Sequence, residues 1–380
     1  MRAVKYIFFG MIFIIILSFN TINIFAFSPE KLEEEIDLNT LIDTLPESSK
    51  EYLPQNLKNT DDLINEIQKT DTGSIFTIFL NILKNTFPST AKKLYSLLGI
   101  LIALSVVNIL KDNIGTPAYS KGLALLTTAI ISIFIYEFLN DIWKDAESYI
   151  STINAFITAL IPVMTFLYTM GGNVSTAIVN SSGLAILLTF SNSVLNSCML
   201  PLSKIWVGLT IAGNIGNLKG VSEITKTLKG FFTITLSGIM TLFSIFLLFK
   251  TNLSASADSA ATRTIKFAGS FIPVIGSALG ETVRSLMTGI SLIKSSVGFL
   301  GIIIIFIITL PIFLKILSAK ICIDLSVVVS SLLGCERESI FLKEISGIIN
   351  FVLAINFTTS LMFVFELIVF VIISPALGAA

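Results

Sequence analysis

Residues 295–333 read SSVGFLGIIIIFIITLPIFLKILSAKICIDLSVVVSSLL, and this stretch decides the class of protein. On either side of Lys315 lies an apolar run close to the roughly 20 residues that a helix needs to cross about 30 Å of hydrocarbon. Lipid offers no hydrogen-bond partner to a backbone amide, so such runs predict membrane-spanning helices. We therefore predict two spans here, Ser295 to Leu314 and Ile316 to Leu333.

The same pattern recurs along most of the chain. Of its 380 residues, 53% are hydrophobic and 13% are charged, whereas charged residues make up about 25% of a typical soluble domain. We expect an all-α, polytopic membrane helical bundle with seven or eight spans, one or two of them broken or re-entrant. The remaining predicted spans are Leu94 to Leu110, Gly122 to Leu139, Tyr149 to Met170, Val174 to Leu200, Phe231 to Phe249 and Ile345 to Ile373, with Ile205 to Leu218 and Phe267 to Gly280 as shorter candidates.

The N-terminal residues 1–26 have the order of a secretory signal peptide. Arg2 and Lys5 precede the apolar stretch from Tyr6 to Phe19, and a cleavage site follows Ala26. Ile24 is large for a position that favours small residues, so an uncleaved signal anchor is the alternative. Either outcome places the following segment outside the cytoplasm.

Residues 27–73 form an acidic extracytoplasmic segment. Twelve acidic and four basic residues lie between Ser28 and Asp71, and Pro29 suits the first position of a helix. Its acidic helix face is either simply solvated or a docking surface for another protein. Residues 74–90 then predict an interfacial amphipathic helix, because Asn81, Lys84 and Asn85 interrupt an otherwise apolar run. The polytopic transmembrane domain takes residues 91–380.

The sequence lacks the residues that several kinds of chemistry require. The chain has no histidine, and Cys198, Cys322 and Cys335 are isolated, so neither a metal cluster nor a disulfide framework is expected. The sequence contains no phosphate-binding loop and no zinc-protease helix motif. We accordingly predict no catalytic, cofactor-binding or metal-ligating residue. Without a clustered basic face, nucleic acid is not an expected partner either.

Loop charges give part of the topology. The segment Asn217 to Gly230 holds three lysines and one glutamate, which predicts a cytoplasmic loop, whereas the acidic Asp141 to Glu147 predicts an external one. Charges inside spans point to function or to close packing, because an ionised group is costly in lipid. Glu366 is the clearest example, with helix packing and a substrate or proton pathway as the two interpretations. Lys320 and Asp324, four residues apart, can neutralise each other on one helix face.

Residues 254–301 combine small residues, a proline and charges. Such a stretch is typical either of a discontinuous helix that lines a cavity or subunit interface, or of ordinary close packing. The candidate interface or pathway residues are Arg263, Lys266, Pro273, Gly276, Gly280, Glu281, Arg284 and, in the last span, Glu366.

The runs ATRTIKF (261–267) and FIPVIG (271–276), followed by ETV (281–283), resemble the central block of the stage III sporulation protein AE family of endospore-forming bacteria. The signal-like start, acidic segment and polytopic body agree with that resemblance. It implies a multi-pass protein in the mother-cell membrane around the forespore, within a channel or secretion-like assembly. The implied partners are the other stage III sporulation proteins of the AA to AH set, including a cytoplasmic ATPase, and a forespore membrane protein.

Two functions follow as hypotheses. The first is a non-enzymatic membrane subunit of that transenvelope complex, needed for forespore development after engulfment. The alternative is a secondary transporter or permease whose substrate site lies at a discontinuous helix. An internal repeat would favour the transporter, and none is evident in the sequence.

Overall fold

The computed structural model describes residues 72–113, 117–170, 174–216, 221–253 and 276–372. Within these ranges every element is helical, and no strand is present, which confirms the all-α class. The helices are α1 (Thr72–Asn113), α2 (Pro117–Met170), α3 (Val174–Val194), α4 (Leu200–Gly216), α5 (Val221–Leu253), α6 (Gly276–Leu332) and α7 (Glu336–Ile372). A single π-helical turn, Leu195–Met199, joins α3 to α4 without a break. The predicted signal peptide and acidic segment lie outside the described residues.

Two helices are much longer than a single span. The helix α2 has 54 residues and α6 has 57, so each is about 80 Å long at about 1.5 Å per residue. The segment Asp141 to Glu147, predicted as a loop, lies within α2, and Lys315 lies within α6. The loop prediction was wrong because the charges there are paired with other helices and do not end the helix.

The number of spans is consequently not confirmed as seven or eight. In the part of the chain that the structure describes, six helical stretches are long and apolar enough to cross a membrane. The predicted loop at 217–230 is also shorter than expected, because α5 already begins at Val221. The predicted interfacial helix at residues 74–90 is the first part of α1, which continues through Lys92 and Lys93 to Asn113. Whether that part lies on the bilayer surface stays a prediction.

The hairpin of α6 and α7 forms the centre of the bundle. In their most apolar windows 67% and 61% of residues are buried, against 22% for α1 and for α5. Close approach requires glycine here, since a Cβ atom on Gly301 would lie 2.8 Å from Cδ1 of Leu367. The other helices lie around its outside, and they keep large apolar side chains exposed, as does the part of the hairpin next to its turn.

A three-residue turn closes the hairpin. Gly334 has a φ of 72°, which a residue with a side chain rarely adopts. The amide of Cys335 donates to the carbonyl of Ser330 at 2.8 Å and that of Gly334 to Ser331 at 3.2 Å, the pattern of a glycine-terminated helix. The Ser105 hydroxyl donates to the Leu333 carbonyl at 3.1 Å, so α1 is fixed to the turn. Burial raises the pKa of the Cys335 thiol.

Candidate functional site

Six charged side chains from four helices lie at one level of the bundle, and we call them the charged belt. Asp141 of α2 pairs with Lys93 of α1 at 2.7 Å. Glu147 pairs with Lys204 of α4 at 2.7 Å, and Asp145 pairs with Lys315 of α6 at 2.5 Å. The belt residues are Lys93, Asp141, Asp145, Glu147, Lys204 and Lys315.

The belt joins distant parts of the chain through a short piece of α2. Its acidic residues are spaced so that each meets a lysine from a different helix, and the partners are 48, 57 and about 170 residues away. The belt side chains retain 26–47% of their exposure, which is compatible with contact to water or lipid headgroups. Pairs of this kind hold helices in register but contribute little net stability each.

Aromatic rings lie beside the same charges. The Lys204 ammonium lies 5.8 Å from the ring centre of Trp143, and Lys93 lies 5.2 Å from that of Phe138. Trp206, two residues after Lys204, packs against Phe232 of α5 and Phe351 of α7 at 5.7 and 5.3 Å between ring centres. Aromatic rings thus lie against two of the three belt lysines and favour their positive charges.

A neutral polar cluster lies one helical turn from the belt, and we call it the hydroxyl cluster. The Tyr149 hydroxyl is hydrogen-bonded to Ser360, lies 3.5 Å from the Thr309 hydroxyl, and donates to the Asn356 carbonyl at 3.1 Å. Thr309 and Ser360 are themselves 3.1 Å apart. All four residues are buried. Since each hydroxyl can both donate and accept, the cluster satisfies its hydroxyl groups without any charge.

A second ionic group lies between the belt and the turn of the α6–α7 hairpin. The Lys320 ammonium donates to Asp324 at 2.6 Å and to the Ser346 hydroxyl at 3.2 Å, and Ser346 donates to the other Asp324 oxygen at 2.5 Å. The predicted mutual neutralisation of Lys320 and Asp324 is confirmed. Ser346 was missed, because a serine in an apolar run gives no signal that it faces a charge.

Glu366 lies in the core of the bundle, with 1% of its surface exposed. Four residues further along α7, Phe370 packs edge-on against Tyr168 of α2, with 5.2 Å between the ring centres. The prediction that Glu366 faces the interior of the bundle therefore agrees with its position.

The other predicted site residues are only partly placed. Gly276, Gly280, Glu281 and Arg284 all lie at the start of α6, which runs unbroken to Leu332. Arg263, Lys266 and Pro273 lie outside the described residues, so the prediction of a discontinuous element there stays a prediction. Glu366 lies about 85 positions further along the chain, in α7.

Nothing in the described part of the chain resembles a metal site, since it contains no group of three or more histidine, cysteine or carboxylate side chains that could hold an ion. The lysines and carboxylates of the belt are engaged with each other, and the side chains of the hydroxyl cluster bond among themselves. This arrangement suits a framework that fixes long helices against one another.

Comparison with known proteins identifies relatives of the whole helical body. The family model for stage III sporulation protein AE matches residues 56–374, which include every described helix. Stage III sporulation protein AE of Bacillus subtilis (strain 168) is 25% identical over 280 residues, which cover 72% of this chain and 70% of that protein. No solved structure matches the chain.

Proposed function

This chain belongs to the stage III sporulation protein AE family, and from that premise we propose that it is a non-enzymatic membrane subunit of a transenvelope sporulation complex. The complex would connect mother cell and forespore and would be needed for forespore development after engulfment. Its other members would be the stage III sporulation proteins of the AA to AH set, including a cytoplasmic ATPase, and a forespore membrane protein.

The observation that carries this proposal is the extent of the family match. Residues 56–374 include α1 to α7 together with the charged belt and the hydroxyl cluster, so the role of the family applies to the membrane body as a unit. The protein would act in the mother-cell membrane that surrounds the forespore. Its acidic segment, residues 27–73, would then face the space between the two membranes.

The polar residues support a subunit more than an enzyme. Covalent catalysis by serine needs a neighbouring base, and the chain has no histidine. The belt lysines Lys93, Lys204 and Lys315 are each paired with a carboxylate of α2, which is the contact of a structural residue. Energy for transport would come from the ATPase partner, since the chain has no phosphate-binding loop of its own.

Deletion of the gene, followed by timed microscopy of sporulating cells, tests this proposal. We expect normal growth and normal engulfment, then a block with loss of late forespore gene expression. Normal spores from the deletion strain would contradict the proposal. A defect in solute uptake by growing cells, with normal sporulation, would instead favour the transporter alternative.

Complementation of the deletion strain with substituted genes then tests which residues the complex needs. We expect Arg263→Ala with Lys266→Ala, and Glu281→Ala with Arg284→Ala, to leave the protein in the membrane but to lower spore yield by at least tenfold. The matched control is Lys226→Ala with Glu223→Ala, which removes an exposed pair on α5. Spore yield at the normal level for both test variants would exclude this region as an interface or pathway.

A further inference from the structure

Polar side chains recur inside the bundle along the contact between α6 and α7. The two helices are antiparallel, so residues earlier in α6 meet residues later in α7. The contacts that fix this register are Lys320 with Ser346, Thr309 with Ser360, and Gly301 with Leu367. The ionic group of Lys320 and Asp324 thus lies nearest the turn, the hydroxyl cluster follows, and Glu366 lies nearest the end of α7.

We call these groups, with the belt pair beside them, the polar seam. Its members come from α2, α6 and α7, and they are Asp145, Tyr149, Thr309, Lys315, Lys320, Asp324, Ser346, Asn350, Asn356, Ser360 and Glu366. From Ser346 to Glu366, α7 rises about 30 Å, which is about the thickness of the hydrocarbon core of a bilayer. The seam is therefore long enough to connect the two sides of a membrane through the interior of the protein.

The gaps between neighbouring groups of the seam are short. The rises along the helices are about 7.5 Å from Lys320 to Lys315, about 6 Å from Asp145 to Tyr149 and about 9 Å from Ser360 to Glu366. Lys315 and Asp145 are in direct contact at 2.5 Å, so the first two steps join. A few bridging water molecules can connect polar groups across such distances.

Two asparagines of α7 lie between the hydrogen-bonded groups of the seam. Asn350 comes one turn after Ser346, and Asn356 comes one turn before Ser360. The Oδ1 atoms of both asparagines are buried and have no hydrogen-bond partner among the described residues. Buried polar atoms nearly always bond to the protein or to an ordered water molecule, so these two oxygens mark places where water enters the seam.

The hydroxyls of the seam differ from other hydroxyls of the bundle in what they bond to. On α5, hydroxyls donate to the carbonyl four residues back on their own helix, as at Thr233, Thr235 and Thr241. In the seam, Ser346 donates to Asp324 of the neighbouring helix, and Tyr149 and Thr309 are both hydrogen-bonded to Ser360 of another helix. Oxygens that can both donate and accept, bonded in series between helices, are what a proton needs in order to move from one to the next.

We propose that the polar seam is a proton pathway between Asp324, near the hairpin turn, and Glu366, near the end of α7. The Asp324 side chain is 39% exposed, so it can exchange protons with its surroundings. Glu366 is 1% exposed and is the one ionisable residue among residues 350–372 of α7. Ionisable residues in the interior of membrane helices commonly form such relays.

Each step of the relay leaves the seam as it was before. A hydroxyl oxygen takes up one proton and releases its own proton to the next oxygen. At Asp324, Asp145 and Glu366 the proton is held on the carboxyl group before it moves on. Close packing alone does not call for this arrangement, because apolar residues of similar volume often replace a buried ion pair such as Lys320 and Asp324 without loss of stability.

The far end of the pathway leads toward the start of α6. A Cβ atom on Gly298 would meet the Val371 side chain, and α7 ends one residue later, at Ile372. The helix α6 begins at Gly276, so its first turns extend past this level. Glu281 and Arg284, two of the predicted pathway residues, lie on that part of α6.

This inference does not depend on the role in sporulation, so the two can fail separately. Proton flux is measured with the purified full-length protein in liposomes that contain a pH-sensitive dye, and a potassium gradient with valinomycin sets the membrane potential. The test variants Thr309→Val and Glu366→Gln remove a hydroxyl and a carboxyl group of the seam with little change in shape. The matched control is Thr210→Val, a buried threonine of α4 whose hydroxyl bonds to the Trp206 carbonyl of its own helix.

We expect protons to enter liposomes with the unaltered chain about tenfold faster than protein-free liposomes, and each test variant to lose most of this increase. Thr210→Val should keep it, and Glu366→Asp, which retains a carboxyl group, should keep part of it. Only variants with the circular dichroism spectrum and elution volume of the unaltered chain are compared.

Three results would overturn the proposal. One is a flux through the unaltered chain that is no faster than in protein-free liposomes. Another is full flux in either test variant, since the seam would then serve packing alone. The third is a flux that depends on external sodium when choline replaces it, because that would indicate a pore for metal cations.

Chemical modification provides a second measurement that needs no substitution. Dicyclohexylcarbodiimide reacts with protonated carboxyl groups in apolar surroundings: the carboxyl oxygen bonds to the carbodiimide carbon, the proton moves to a nitrogen, and the product rearranges to a stable N-acylurea. Mass spectrometry should find this adduct on Glu366, and the proton flux should fall in proportion to the modified fraction. Full flux from protein that is completely modified at Glu366 would contradict the pathway.

Discussion

The charged belt and the hydroxyl cluster are neighbours on α2, with Asp145 and Tyr149 one turn apart. Both join α2 to other helices through polar side chains, but only the belt uses charged ones. The belt uses full charges that stay 26–47% exposed. The cluster uses neutral hydroxyls that are buried. The difference teaches that the ion pairs along this part of α2 lie where water or headgroups can reach them, because an ion pair removed from water loses more solvation than the pairing returns.

The largest effect is expected when a charge is placed in the cluster. Thr309→Asp would put a carboxylate next to Tyr149 and Ser360 without a cation, which should destabilise the fold by on the order of 4 kcal/mol. The measurement is the melting temperature of the purified protein in detergent. The control Thr309→Val, which keeps the shape, should cost only about 1 kcal/mol. An equal loss of stability in both variants would show that a buried carboxylate at this position costs no more than the removal of the hydroxyl.

Removing one hydroxyl should have a smaller effect. Tyr149→Phe deletes the bonds to Ser360 and to the Asn356 carbonyl, but Thr309 and Ser360 remain 3.1 Å apart and can bond to each other. We expect a loss of about 1 to 2 kcal/mol in unfolding free energy, again read from thermal melting. No change at all would mean that the remaining hydroxyls fully compensate for Tyr149.

Much of the fold could be predicted from sequence, and the misses have a common cause. Long apolar runs identify membrane helices directly, and Glu366 stood out because no other charge lies near it. The charges at Asp141 to Glu147 instead predict an external loop, and Lys315 separates two predicted spans, whereas each lies inside one continuous helix. Their partners lie tens to hundreds of residues away, so one sequence does not reveal that they meet inside continuous helices. Tyr149, Thr309 and Ser360 are ordinary residues for membrane helices and gave no signal individually.

Breaking one belt pair should cost less again. Lys315→Ala leaves Asp145 partly exposed, and pairs of this type contribute roughly 0.2 to 1 kcal/mol. The informative version is a charge swap, Lys315→Asp with Asp145→Lys, which should recover the thermal stability that either single change loses. If the swap is as unstable as the worse single variant, the belt depends on which helix carries each sign.

The smallest effect is expected at the exposed pair of α5. Glu223 and Lys226 are 2.8 Å apart but remain 74% and 69% exposed, so Lys226→Ala should leave the melting temperature unchanged within error. If Lys226→Ala lowered the melting temperature as much as Lys315→Ala does, an ion pair between helices would be no more stabilising than one within a single helix.

The π-helical turn at Leu195–Met199 has a consequence for rotational phase. The Leu200 amide bonds to the Leu195 carbonyl, five residues back, so this turn holds one residue more than an α-helical turn. One extra residue rotates everything after it by about 100° relative to a continuous α-helix. The π-helical turn therefore sets the rotation of α4 about its axis. It also sets the direction in which Lys204 and Trp206 point. If the same residues closed as an α-helix instead, Lys204 would turn away from Glu147 without any change in sequence.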